Sequence, residues 1–336
     1  MENSKIISIC QLVRTDGKNV SAKIADTFKV SRQTASSWLA QLKKLQLIES
    51  TGSGRGIEYY LLDVAKKSAT YNREGLSEDV VWRELCAPMV KDLPQNVRNI
   101  WHHGITEMVN NAIDHSGSEN VTVTISRNIY STKCVVMDTG EGIFLKIQRA
   151  LNLYDPREAI LELAKGKLTT DPTNHSGEGI FFSSKMFDSF IISSGDLAFV
   201  HLDKNLEDVL LSRKDEIKGT KVLMELENQS IRTSQEVFDK FALPEDFSFA
   251  KTIVPVKLAQ HEGETLVSRS QAKRLTRRFE KFQSVIVDFD GVAEIGQAFA
   301  DEVFRVFANA HPKINMIPTN MTAKVKAMVN RVTNSN

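Results

Sequence analysis

The stretch from residue 97 to residue 142 constrains this chain more tightly than any other part of it. A helix is predicted from about Val97 to His115, because Ile105, Met108, Val109, Ala112 and Ile113 recur at i, i+3, i+4, i+7 and i+8 and form one apolar stripe. Glu107 and Asn111 lie four residues apart on the opposite face, with Asp114 beside them and His115 at its margin. A carboxylate and an amide on one helix face can hold a metal ion and orient a water molecule; in isolation the same pair reads as a solvated face. Strands at Val121–Ser126 and Lys133–Met137 follow, and the second runs into Asp138-Thr139-Gly140-Glu141-Gly142-Ile143. An aspartate at a strand end before Gly-x-Gly lets the backbone turn tightly around a ligand, leaving the carboxylate to accept from an exocyclic amine. Further on, His175-Ser176-Gly177-Glu178-Gly179-Ile180 opens an apolar helix ending near Phe187. Glycines at a helix start let backbone N–H groups approach phosphate, and the helix dipole favours the anion. Short strands at Ile191-Ile192 and Val200-His201-Leu202 precede Gly219-Thr220 and a strand over Lys221–Leu226.

Each glycine pair alone could be a plain turn, and neither has P-loop spacing. Taken in order, Glu107-x-x-x-Asn111, Asp138-x-Gly140-x-Gly142, Gly177-x-Gly179 and Gly219-Thr220 resemble the GHKL ATPases, over about residues 95–228. That superfamily includes gyrase, Hsp90, MutL, histidine kinases and the anti-sigma-factor serine kinases. The resemblance implies an α/β sandwich, with a mixed sheet covered on one face by helices, and ATP held between helices and a mobile lid. Asp138 is similar to the aspartate that binds the adenine amine, with Thr220 beside it. Asn111 matches the asparagine that ligates Mg²⁺, and Glu107 the general base of members that hydrolyse ATP or phosphorylate serine. Gly140 and Gly142 would shape the adenine side, and Ser176, Gly177 and Gly179 the phosphate loop. Asp114 joins this cofactor-binding set, as does His115, at a position where phosphate-contacting basic residues often occur. The lid would be roughly Ala164–Ser176, where Lys165 and Lys167 could reach phosphate or face solvent. Glu107 replaces the asparagine usual in histidine kinases, and no upstream helical hairpin carries a phosphoacceptor histidine; His102 and His103 read as ordinary helix-start residues.

Charge divides the chain. Residues 1–67 carry eleven basic and six acidic side chains, residues 101–228 thirteen and nineteen, and residues 229–336 fifteen and twelve. The basic N-terminus points to an anionic partner. There, helical spacing over residues 4–14, an apolar segment Ala22–Phe28, a turn at Lys29-Val30-Ser31 and a helix Arg32–Leu45 are followed by Leu47-Ile48-Glu49, a Gly52–Gly56 loop and a strand at Glu58–Leu62. This order resembles a winged helix-turn-helix domain, covering about residues 5–63. The resemblance implies that Gln33, Thr34 and Ser37 face base edges in the major groove of double-stranded DNA, while Arg32, Lys43 and Arg55 meet phosphates. A winged helix used only for protein contact is the alternative.

At the other end, a basic helix Ser268–Phe282, a strand Val285–Phe289, a helix Gly296–Ala308, a strand Asn315–Ile317 and a helix Thr322–Val332 are expected. Strand, Asp288-Phe289-Asp290-Gly291-Val292 and helix resemble the STAS domains of anti-sigma-factor antagonists, and look closest to the STAS-like domain of unknown function. The antagonists' phosphorylatable serine is missing from Gly296-Gln297-Ala298-Phe299, so a docking or self-association module is expected, with a protein partner.

Cys10, Cys86 and Cys134 have no paired spacing, no apolar run approaches a bilayer span, and the N-terminus lacks signal-peptide order, so the cytoplasm is the expected location. The expected architecture is a multidomain α+β chain. It has a winged helix (1–65), a connector (66–94), the GHKL α/β sandwich (95–228), a linker (229–263) and a small STAS-like α/β module (264–336). The expected function is an ATP- and Mg²⁺-binding, ATP-hydrolysing, DNA-associated switch, in which lid closure could reposition two winged helices of a homodimer. A serine protein kinase acting on a partner, with Glu107 as base, and a nucleotide sensor without turnover are the alternatives.

Overall fold

A computed structural model of the chain describes residues 2–169, 177–202, 207–242, 248–260 and 264–334. The N-terminal module consists of α1 (Asn3–Thr15), α2 (Val20–Phe28) and α3 (Arg32–Lys44), closed by an antiparallel hairpin of β1 (Ile48–Thr51) and β2 (Glu58–Leu61). The helical spacing decides its core: Ile6, Ile9, Cys10, Val13, Val20, Ile24, Ala35, Leu39, Leu42 and Ile48 are buried together, apart from the rest of the molecule. Ser31 caps α3, its Oγ accepting from the Thr34 N–H at 3.1 Å. Leu45, which closes the expected helix Arg32–Leu45, is exposed, because α3 ends at Lys44 and the chain turns away at Gln46, whose φ is 56°.

The middle of the chain builds a five-stranded sheet from β3 (Ala65–Asn72), β4 (Asn120–Arg127), β5 (Ser131–Asp138), β6 (Ser189–Leu202) and β7 (Glu207–Glu227). Their order is β3-β4-β5-β7-β6, and every neighbouring pair is antiparallel. The mixed sheet expected here is therefore corrected. Its backbone is a succession of antiparallel pairings, and among the described residues the parallel strands are confined to the C-terminal sheet. The expected connector over 66–94 is corrected too. It contributes edge strand β3, paired with β4 from Ala65↔Arg127 to Asn72↔Asn120. It also contributes a helical stretch over 78–90, in which a π turn (Trp82–Cys86) joins α4 (Glu78–Val81) to α5 (Ala87–Val90). Val81, Cys86 and Val90 are buried there.

Alternation along β4 and β5 turns Val121, Val123, Ile125, Cys134 and Val136 into the core. Helix α6 (Gln95–His115) covers that face with Val97, Ile100, Trp101, Ile105, Met108 and Val109. Between β5 and β6 the chain forms α7 (Ile143–Ala150), α8 (Arg157–Lys165) and α9 (Gly179–Met186).

The expected linker over 229–263 is also structured. α10 (Ser234–Phe241) starts at a capping box made by Thr233 and Glu236, and β8 (Lys251–Pro255) belongs to the C-terminal sheet. β8, β9 (Ser284–Asp288) and β10 (Asn315–Thr319) run parallel in the order β10-β9-β8. Around them lie α11 (Arg269–Thr276), α12 (Gln297–Asp301), a π turn (Glu302–Phe307), α13 (Ala308–Ala310) and α14 (Ala323–Thr333). α11 is shorter than the expected Ser268–Phe282 helix, because Arg278 takes a left-handed φ of 65°. Within the π turn, Val306 is 38% exposed.

One apolar core runs without interruption from Val81 to Val332 through both the five-stranded and the three-stranded sheet. Phe181, Phe182, Phe241, Phe249 and Phe282 join the two halves, with ring centroids 4.6 Å apart for Phe181–Phe249 and 5.5 Å for Phe249–Phe282. Among the described residues, no helix is long and apolar enough to cross a membrane.

Candidate functional site

A cavity of about 280 Å³ opens between α6, the end of β5, the second half of β7, α7 and the start of α9. Two neighbouring rows of α6 line it: Glu107, Asn111 and His115 at four-residue steps, and Met108, Ala112 and Ser116 next to them. Asp138 and Thr220 stand at one end, and Gly177 and Gly179 belong to another wall. Val136, Ile143, Ile147, Ile192 and Val222 supply its apolar surface. Motifs spread over more than a hundred residues of sequence thus meet in one place.

Asp138 ends β5 and is 5% exposed. Its Oδ1 accepts from the Gly140 N–H at 2.9 Å and from the Thr220 N–H at 3.2 Å. Burial pushes its carboxyl above the usual carboxylate range, and these bonds oppose the shift. Thr220 Oγ1 in turn accepts from the Ile143 N–H at 3.0 Å, tying β7 to the first turn of α7. Gly219, with φ 78°, is where β7 passes over Asp138; a Cβ there would overlap the Asp138 carbonyl oxygen. Gly140 lies against the Ser116 carbonyl and holds Asp138 rather than lining the cavity.

At the other end, a Cβ on Gly179 would overlap the Glu107 carboxylate, so the first residue of α9 and the helix face of α6 approach as closely as only glycine allows. Asn111 Nδ2 is buried with no hydrogen-bond partner among the described residues, an orphaned donor in a polar pocket wall. A carboxylate and an amide provide oxygen donors suited to a hard cation that keeps most of its own waters. No cluster of three His, Cys, Asp or Glu side chains that could hold a metal occurs among the described residues.

Asp114 is exposed and does not line the cavity. In that last turn of α6 it is His115, four residues after Asn111, that continues the inward row. Ser176 lies outside the described residues. Lys165, expected in a lid, is instead fully buried: its ammonium is 2.7 Å from Glu162 Oε1 and donates to the Arg274 and Arg277 carbonyls at 3.2 and 2.9 Å. Burial pulls its pKa down to about 8, against the pull of Glu162. Lys167 donates to the Lys281 carbonyl at 3.2 Å and lies over the Phe249 and Phe282 rings. His102 and His103 sit inside α6, edge-on to Trp82 and Phe238 respectively and away from the cavity.

On the N-terminal module, Arg32, Gln33 and Ser37 are exposed along α3. The Thr34 hydroxyl is 2.9 Å from that of Ser31. Lys43 is held by Glu49 at 2.7 Å and donates to Ser50 at 2.9 Å, so it braces the hairpin against α3. The side chain of Arg55 lies outside the described residues.

Two features escaped the sequence reading. Lys146, one turn into α7, lines the cavity and donates to the His115 carbonyl at 2.7 Å, capping α6. Its position four residues after Gly142 was the available signal. The second is a buried trio in which Lys185 is 2.9 Å and His201 Nδ1 2.6 Å from Asp208. Burial alone would raise the Asp208 carboxyl, but Lys185 and His201 hold it down to about 2. The trio borders a second cavity of about 400 Å³ at the carboxyl ends of β8, β9 and β10.

Residues 271–326 match the model of the STAS-like domain of unknown function (DUF4325), so the C-terminal module is STAS-like. No curated protein matches the chain.

Proposed function

We propose that the cavity binds ATP with Mg²⁺ in the manner of the GHKL ATPases, and that the chain is a nucleotide-dependent, DNA-associated regulatory switch. The observation that carries this reading is the convergence of Glu107, Asn111, Asp138, Gly179 and Thr220 on one pocket of mixed character. Asp138 offers a buried carboxylate to an exocyclic amine, and a carboxylate has acceptor sites beyond those its backbone donors use. The apolar residues around it suit the faces of a purine. Gly177 and Gly179 bring backbone N–H groups of the α9 start toward the side where phosphates would lie, and Lys146 and His115 add basic groups. Asn111 would hold Mg²⁺, whose charge offsets that of the phosphates. Glu107 would take the proton of a water as its oxygen bonds to the terminal phosphorus, while the bond from that phosphorus to the β,γ-bridging oxygen breaks and ADP leaves with the bond's electron pair.

The winged-helix resemblance of residues 5–63 and the exposed Arg32, Gln33 and Ser37 support duplex DNA as the partner of the N-terminal module. ATP acts on that module only insofar as it contacts two states of the protein differently. Incubating the full chain with labelled Mg-ATP tests the reading. Saturable binding with free phosphate release supports the switch, and label retained on a protein supports a serine kinase. Binding without either product supports a sensor. Absence of binding at millimolar nucleotide overturns the proposal.

A further inference from the structure

The STAS-like module does not stand apart from the cavity. Helix α8 and the residues after it supply a wall of the pocket through Leu163, Leu168 and Thr169. That wall is fastened from the other module. Arg278 is 7% exposed, and its guanidinium donates to Glu162 Oε2 at 2.9 Å, to the Glu162 carbonyl at 3.3 Å, to the Gly166 carbonyl at 2.8 Å and to the Lys167 carbonyl. The Glu162 carbonyl belongs to the last turn of α8, whose carbonyls lack intrahelical partners, the Gly166 and Lys167 carbonyls follow directly after the helix, and a cation there also meets the negative end of the helix dipole. The fastening is mutual. Lys165, at the end of α8, donates to the Arg274 and Arg277 carbonyls at the end of α11, and the Thr252 hydroxyl of β8 donates to the Lys165 carbonyl at 2.7 Å. Glu162, fully buried, is shared by both cations.

The backbone of Arg278 adds a second, independent sign. Its φ of 65° and ψ of 11° are a left-handed conformation that a residue with a Cβ adopts only where its surroundings compel it. The side chain's four acceptors are such a compulsion. A glycine at this position would satisfy the backbone but could not reach α8.

We infer that Arg278 is a positioning residue for the nucleotide pocket, supplied by the STAS-like module, which holds the wall formed by Leu163, Leu168 and Thr169 in its binding conformation. The pocket is therefore complete only when the STAS-like module is docked. This inference rests on the nucleotide reading of the cavity for its effect on affinity, though not for its effect on the wall.

The test uses the full chain with Arg278→Gly, which relaxes the backbone while deleting the guanidinium, and Arg278→Lys, whose single ammonium cannot span the four acceptors. Amide hydrogen exchange without nucleotide is read at Gly166 and Leu168, whose N–H groups donate to the Leu163 and Gly177 carbonyls, against core amides of α6 as reference. Mg-ATP affinity is measured by calorimetry. Both variants are expected to exchange at Gly166 and Leu168 at least tenfold faster with α6 unchanged, and to bind Mg-ATP at least tenfold more weakly. Unchanged exchange at the wall, or exchange raised equally throughout the protein, overturns the inference, as does unchanged ATP affinity in a variant that folds. A loosened wall in a protein whose wild type binds no nucleotide sinks the nucleotide reading and leaves the fastening intact. Should the Arg278 variants fail to fold, Thr252→Val, which removes one hydroxyl bond to the same wall, is expected to raise exchange there about threefold, and no change would overturn the inference.

Discussion

Replacing Asp138 by asparagine changes one atom at the end of the cavity. The buried Oδ1 can keep its bonds from the Gly140 and Thr220 N–H groups, at 2.9 and 3.2 Å, so the turn over Gly140 and Gly142 survives. What changes is the rest of the carboxylate, where an NH₂ donor would now face the donor of an adenine amine. A hydrogen bond to a charged group contributes about 1.5–3 kcal/mol, and with about 1.4 kcal/mol per decade the loss corresponds to roughly ten- to hundredfold weaker binding. Calorimetric titration with Mg-ATP measures this, and a parallel titration with Mg-GTP separates base recognition from phosphate recognition. Guanine carries a carbonyl where adenine carries the amine, so the variant should lose ATP while gaining or retaining GTP, and the preference between them should collapse. Stability provides the internal check. Because burial raises the Asp138 carboxyl, the folded protein holds that proton more tightly than the unfolded chain does. The group's stabilisation is complete below its unfolded pKa and is lost as pH rises through its higher folded pKa. Asparagine lacks that loss, so at neutral pH the variant should melt no lower than wild type. Equal ATP affinity in the two proteins, or equal weakening of ATP and GTP, would refute the assignment of Asp138 to the base.

Three further outcomes are expected. Glu107→Gln should bind Mg-ATP within about threefold of wild type, since the amide preserves the shape beside Gly179, while phosphate release falls at least a hundredfold, within the range for a lost general base; release at the wild-type rate would place the base elsewhere. Asp208→Asn should destabilise the protein at pH 7 by about 3–5 kcal/mol in denaturant unfolding, because Lys185 and His201 lose a buried partner. In wild type the contribution of that depressed carboxyl is present above its unfolded pKa and is lost as pH falls toward about 2, so an acid-melting curve identical in variant and wild type would count against the trio. Arg32→Ala should make the log–log salt dependence of duplex DNA binding shallower by about one unit, whereas Gln33→Ala should relax base preference at constant slope; gel shifts at several salt concentrations read both, and no shift at low salt removes DNA as the partner.

What could be read from the sequence was what local spacing encodes. The row Glu107, Asn111, His115 follows from helical periodicity, and the glycines announce close approaches that a Cβ would block. Asp114 was misplaced because three-residue and four-residue steps look alike in a pattern but diverge in the last turn of α6. Strand β3 was read as a connector because Lys66, Lys67, Ser68, Thr70 and Asn72 make it polar, as an edge strand with a wet face can be. β8 was hidden by its shortness and its closing Pro255. Lys165 misled for another reason: a lysine beside a glycine reads as exposed, and only its tertiary partners Glu162 and the α11 carbonyls show that it is not. The pairing of Glu162 with Arg278, over a hundred residues apart, has no local trace.

The position of β8 also decides where the C-terminal module can be cut. The family match begins at Gln271 and stops at Lys326, yet β9 is sandwiched between β10 and a strand that ends at Pro255, before the match starts. An excised fragment bounded by the match would leave one flank of β9, from Ser284 to Asp288, with bare peptide groups, and would shear Val329 and Val332 from the last helix. Open edges of this kind recruit strands from other molecules. The heritable segment and the foldable segment are thus different lengths of chain, and a transplantable version of this module has to carry its borrowed strand with it.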